Sequence, residues 1–128
     1  MQGQVREVYA DPGIIEYAVR LVTATRRPDA AGLGELKRYV SYGGSPRASI
    51  ALVAGGQALA FLRGRDYVLP DDVTDLALDV LRHRLVLSYE ALADDVSADT
   101  IVTRLLGAVG KPEVVSADRA ARRAPHDG

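Results

Sequence analysis

From Ala48 to Leu62 the chain runs with only Ser49 and Gln57 clearly polar, and this stretch limits the possible folds more than any other. A run this apolar and this long reads as a helix. Being apolar nearly all round, it predicts a deeply buried helix with neighbours on several sides. Gly55 and Gly56 stand at its centre. Each costs roughly 1 kcal/mol against alanine in a helix interior, so the pair predicts a close crossing by another helix or a local bend. Arg63 and Arg65 close the run before it reaches membrane-spanning length.

The start of the run is sharply punctuated. Gly43 and Gly44 allow a backbone with φ > 0, Ser45 and Pro46 read as N-cap and N1, and Arg47 falls in the first turn. A cation at the positive end of a helix dipole costs about 0.3–1 kcal/mol when exposed. Two readings remain open. Arg47 pairs with a nearby Asp or Glu or points into water; or an anion docks there, held by helix-terminal amides and a forked, charge-assisted donor.

The other elements follow in order. Val5 to Tyr9 is a short amphipathic piece, and Asp11-Pro12 signals a helix start. Ile14, Ala18, Leu21 and Val22 then repeat at helical spacing, with Ile15 and Val19 widening the face. That helix should fade near Thr25, because Arg27 precedes Pro28. Pro28 to Gly34 has loop composition, and Leu36, Tyr39 and Val40 suit one helical turn. After the central helix, Gly64 reads as the C′ residue and Arg63 as a last-turn cation. Pro70-Asp71-Asp72 opens a third helix, in which Val73, Leu76, Ala77, Val80 and Leu81 keep the apolar pattern without a miss. Ser97 caps a last helix carrying Ile101, Val102, Leu105, Leu106 and Val109, stopped by Gly110 and Pro112. Tyr67–Leu69 and Leu85–Leu87 are short extended pieces suited to pairing with each other as a two-stranded β element. The fold expected is mainly α, a four-helix bundle over residues 1–111, with a disordered tail over 112–128.

Composition narrows the function. With 128 residues and 48% hydrophobic content, this is one domain with an ordinary core. A formal net charge of −1 disfavours a nucleic-acid binder led by phosphate contacts. The lack of cysteine excludes disulfides and thiolate metal sites and fits a reducing, cytoplasmic compartment. Met1-Gln2-Gly3-Gln4 leads into charged residues rather than the apolar core of a signal peptide. No metal site is expected: His83 has only His126, in the tail, as a second histidine, so a packed or solvated ring is the better reading. Asp71-Asp72 and Asp94-Asp95 sit beside helix starts, where the dipole favours acids, and need no catalytic role. Arg26 and Arg27 read as last-turn cations of the first helix. Arg82 and Arg84 read as partners for acids of the third, and Tyr67 and Tyr89 as core or rim residues.

Five short motifs carry a resemblance: Ala24-Thr25-Arg26, the Gly-x-Ser-Pro-Arg-Ala run at Gly43 to Ala48, Arg63-Gly64-Arg65-Asp66-Tyr67-Val68, Pro70-x-Asp72-Val73, and Val80-Leu81-Arg82-His83-Arg84-Leu85. In this order they resemble the C-terminal helical lid of MoxR-type AAA+ ATPases, over roughly Val5 to Gly110. One departure is Gly44, where that family more often has alanine. The resemblance implies that Arg47 is the sensor-2 arginine, reaching the γ-phosphate of ATP, with Ser45, Pro46 and Ala48 around it and Arg26 toward the adenine or ribose end. It also implies an N-terminal α/β domain holding ATP and Mg²⁺, a ring of about six subunits, and a chaperone-like task in complex assembly or metal insertion, sometimes with a von Willebrand A-type protein.

The chain contains no G-x-x-x-x-G-K-[ST] sequence and so no loop of that kind to cradle phosphates. It is therefore expected not to hydrolyse ATP by itself, and to be one domain of a larger ATPase. The alternative is a stand-alone helical module that binds a partner helix in an apolar groove. That reading predicts an Arg47 tied up internally beside an exposed apolar patch, whereas the lid reading predicts an exposed Arg47 with few partners.

Overall fold

The computed structural model describes residues 8–112. Helix α1 spans Pro12–Arg26, capped by Asp11, whose carboxylate accepts from the Gly13 amide. Two short 3-10 helices follow at Pro28–Ala31 and Gly34–Tyr39, then strand β1 at Val40–Tyr42. Helix α2 spans Arg47–Leu62, α3 Pro70–Arg82, β2 Val86–Leu87, α4 Tyr89–Ala93 and α5 Ala98–Ala108. The expected helices therefore stand where the punctuation placed them. Val40 belongs to β1 rather than to a helical turn.

The core is formed by one face of each long helix. Ile14, Tyr17, Ala18, Leu21 and Val22 of α1 meet Leu52 and Ala60 of α2, Val73, Ala77 and Leu81 of α3, and Ile101, Val102 and Leu105 of α5. The glycines of α2 admit α3 closely: a Cβ at Gly55 would stand 3.1 Å from Leu76 Cδ2, and one at Gly56 would stand 3.3 Å from Val68 and Val73 methyls. Of the two outcomes open for that pair, close crossing is the one observed.

Two expectations are corrected. The two-stranded sheet is antiparallel but joins β1 to β2, with Val40 opposite Leu87 and Tyr42 opposite Val86. Tyr67 instead bridges Tyr9 in parallel, through Tyr9 N–H to Asp66 O and Val68 N–H to Tyr9 O, both 2.8 Å. The incoming chain thus occupies the edge assigned to Leu85–Leu87. Second, α2 is not deeply buried with neighbours on several sides. It buries only the stripe Ala48, Leu52, Gly56 and Ala60, while Ile50 is 68% exposed and Leu62 79%. With small residues filling much of α2, its composition carried no polar face to mark the side turned outward. Helix α1 buries seven residues, though Ile15 and Val19, expected to widen its buried face, are each nearly half exposed. The piece from Val5 to Glu7 and the tail beyond Pro112 lie outside the described residues.

An ion cluster locks α2 to α3. Asp72, fully buried, accepts from Arg65 Nη1 and Nη2 at 2.7 Å each, from Arg63 Nη1 at 3.0 Å and from the Leu69 amide at 2.8 Å. The Leu69 contact is half of a capping box, since leucine offers no side-chain acceptor in return. Burial pushes the Asp72 carboxyl up, but the hydrogen bonds from Arg65 and Leu69 and the arginine charges outweigh it, and the net shift is downward.

Candidate functional site

The end of α1 and the beginning of α2 meet at one corner. Thr25, fully buried, donates its hydroxyl to Val22 O and accepts from the Gly44 amide at 2.8 Å. Gly43 lies against the same helix end: a Cβ there would fall 2.6 Å from Arg26 N, Arg26 Cγ and the Thr25 carbonyl carbon. Neither Gly43 nor Gly44 has positive φ; the positive-φ glycines of the described residues are Gly32 and Gly64. The pair was expected to serve backbone freedom. Gly43 is required instead because two backbones pass with no room for a side chain.

From this anchored loop α2 begins. Pro46 has helical φ and ψ (−55° and −24°), so it acts as the first helical residue, and the Ser45 carbonyl accepts from the Ala48 amide at 2.9 Å. The residue at the helix boundary is Pro46, which has no side chain able to cap, and Ser45 Oγ before it makes no hydrogen bond among the described residues. Ser49 Oγ donates back to Pro46 O at 2.6 Å. No acid stands in the first turn of α2. Among the described residues, the Arg47 amide has no backbone partner and its guanidinium no hydrogen bond or ion pair. The side chain is exposed.

The corner therefore gathers Arg26, Ser45, Pro46 and Arg47 on its outer side, all exposed. Ala48 does not join them. Its side chain is fully buried and its amide is already bonded to Ser45, so its role is packing. Arg26 and Arg27, like Arg47, have no ion-pair partner among the described residues. Several cations elsewhere are paired, Arg38 with Asp94, Arg63 and Arg65 with Asp72, Arg82 with Asp79 and Asp99, Arg104 with Glu35, and Lys111 with Asp71, while Arg20, Lys37 and Arg84 share with Arg47 the lack of an ion pair among the described residues. Arg82 thus pairs with a third-helix acid as expected, while Arg84 shows no such pair.

Chemically, the corner offers an uncapped helix start, an orphan amide and unpaired guanidinium groups, which together fit an anion with several acceptor oxygens. It carries no nucleophile beside a base, so it is equipped to bind an anion rather than to transform one. Next to it, Ile15, Ile50, Val53 and Ala54 line a shallow apolar groove of about 250 Å³ between α1 and α2.

Sequence reasoning missed one part of this corner and one contact at the far end of α2. Thr25 was noted only within its motif, and its double hydrogen bond depends on a residue nineteen positions away. Asp72 was assigned to the helix dipole, although two arginines within nine residues before it signal a buried ion cluster.

The family model described as AAA lid domain matches residues 35–105. The chain is 48% identical over 101 residues to Chaperone MoxR1 of Mycobacterium tuberculosis, covering 79% of this chain and 27% of that protein. It is 38% identical over 84 residues to Protein MoxR of Paracoccus denitrificans, covering 62% of this chain and 25% of that one. A crystal structure of a "putative ATPase" from Cytophaga hutchinsonii superposes with a TM-score of 0.84 at 38% identity, over 88% of this chain and 34% of the other. The chain therefore spans about a quarter to a third of the length of these relatives.

Proposed function

The chain belongs to the AAA lid domain family, in its MoxR type, and from that premise we propose that it serves a longer ATPase as the lid that reads whether ATP or ADP is bound. Arg47 is the reader. The observation that carries this reading is its position: an exposed guanidinium without partner among the described residues, at a helix start whose serine leaves the cap unmade. Such a terminus is anion-seeking, and a γ-phosphate meets that demand.

In this reading the phosphates and Mg²⁺ are held mainly by an N-terminal α/β domain outside the chain, and bound ATP supplies the bond to be hydrolysed. Arg47 donates to the γ-phosphate oxygens. The Arg47 amide adds a second donor at the same helix end. Arg26, fixed against Gly43, lies toward the ribose or base. Because these contacts exist with ATP and not with ADP, nucleotide state biases the lid between orientations. The exposed Ile15, Val19 and Ile50, with the partly buried Val53, suit packing against a second domain, but an apolar patch fits a self-contained module as well; the exposed Arg47 with no partner among the described residues is what favours the lid. Ring assembly of about six subunits, a chaperone-like task, metal insertion and a von Willebrand A-type partner belong to the same proposal.

The test is discrimination between nucleotides. In the full-length ATPase, Arg47→Ala is expected to weaken ATP binding at least tenfold and leave ADP binding within twofold, since only ATP presents the γ-phosphate. Equal loss for both nucleotides, or loss for neither, would remove Arg47 from this role.

A further inference from the structure

The Arg47 loop is fastened to α1 through one buried hydroxyl. Thr25 Oγ1 receives the Gly44 amide at 2.8 Å while its own proton goes to Val22 O. Gly44 itself is buried, so that amide has no water to turn to if the hydroxyl is lost. Gly43 packs on the Thr25–Arg26 peptide at a distance that leaves no room for a Cβ. Only two residues then separate Gly44 from Arg47, and Pro46 has a ring-locked φ. The position of Arg47 relative to α1 and Arg26 is thus set at Thr25.

We infer that Thr25 is a positioning residue for the arginine that reads the nucleotide; the inference rests on the reading of Arg47 given above. Thr25 does not touch the anion. It holds the helix start at the distance and angle at which Arg47 reaches the terminal phosphate. Displacement of a positioned group by about 1 Å can cost as much as 10²-fold in function. Thr25→Val keeps the branched shape, removes the hydroxyl and strands the Gly44 amide. Thr25→Ser keeps the hydroxyl.

The test compares ATP and ADP affinity of the full-length ATPase in Thr25→Val, Thr25→Ser, Arg47→Ala and the Thr25→Val/Arg47→Ala double variant. Amide exchange at Gly44 in the 128-residue chain is followed in parallel. Thr25→Val is expected to lower ATP affinity about fivefold with ADP affinity unchanged, and Thr25→Ser to restore it. In the Arg47→Ala background the further loss should be under about twofold, because residues acting through one contact are non-additive. Gly44 exchange should quicken in Thr25→Val and not in Thr25→Ser. A fivefold loss that persists without Arg47, an equal loss for ADP, or no loss while Arg47→Ala still loses ATP affinity would overturn the inference. Should Arg47→Ala alone change nothing, the reading of Arg47 falls and this one with it. If Thr25→Val does not fold, Thr25→Ala carries the same comparisons.

Discussion

Replacing Asp72 with asparagine keeps size and removes charge from the most constrained carboxylate of the domain. Its two oxygens accept four bonds, three from Arg63 and Arg65 and one from the Leu69 amide. The asparagine amide nitrogen can accept none of them, so it must face at least one donor with another donor. Arg63 is 41% exposed and keeps Asp75 at 2.8 Å, so it can turn to water at little cost. Arg65 is only 20% exposed, and its remaining partner is Tyr67 O at 3.2 Å. Stripping one side from a buried pair costs about 3–5 kcal/mol, and the mobility of Arg63 argues for the lower end, about 3 kcal/mol. For a domain of this size that lowers Tm by roughly 10–15 °C, read by calorimetry or circular dichroism. The same carboxyl predicts a pH dependence. Its folded pKa lies below the unfolded value of about 3.9, so its contribution is present above that pH and is lost as pH falls toward the folded value. Asp72→Asn should flatten that part of the acid limb. A Tm change under about 4 °C with an unaltered acid limb would refute the claim that Asp72 joins α2 to α3.

Two further outcomes follow from the geometry. Gly43→Ala should destabilise the domain by about 2 kcal/mol or more, because the new methyl meets backbone atoms 2.6 Å away, whereas Gly44→Ala, with its nearest atoms at 3.5 Å, should lie within about 0.5 kcal/mol of wild type by denaturant titration. Arg104→Ala should move Tm by less than about 2 °C, since its pair with Glu35 is exposed on both sides and screened by water.

The helices were legible because their ends are written in local chemistry. Asp11-Pro12, Pro70 and Ser97 each act within one turn, and the structure places helix starts at or beside them. The sheet was not legible, because strands of three and two residues carry no periodicity to compare. Which segments pair was settled by the incoming chain at Tyr9, a contact across more than fifty positions. The exposed side of α2 was hidden for another reason: burial was inferred from hydropathy, yet Ile50 and Leu62 lie open. At the candidate site, Arg47 stood out as a cation at the wrong helix end, a conflict visible in a handful of residues. Thr25 did not, since a threonine near a helix end is unremarkable until the loop it fastens is seen.

ATP turnover by the full-length ATPase carrying Arg47→Ala tests the central claim most directly. At least a tenfold fall in kcat, with the melting transition of the lid unchanged, is the predicted result, because the side chain is exposed and bonded to nothing among the described residues. Turnover equal to wild type would contradict it.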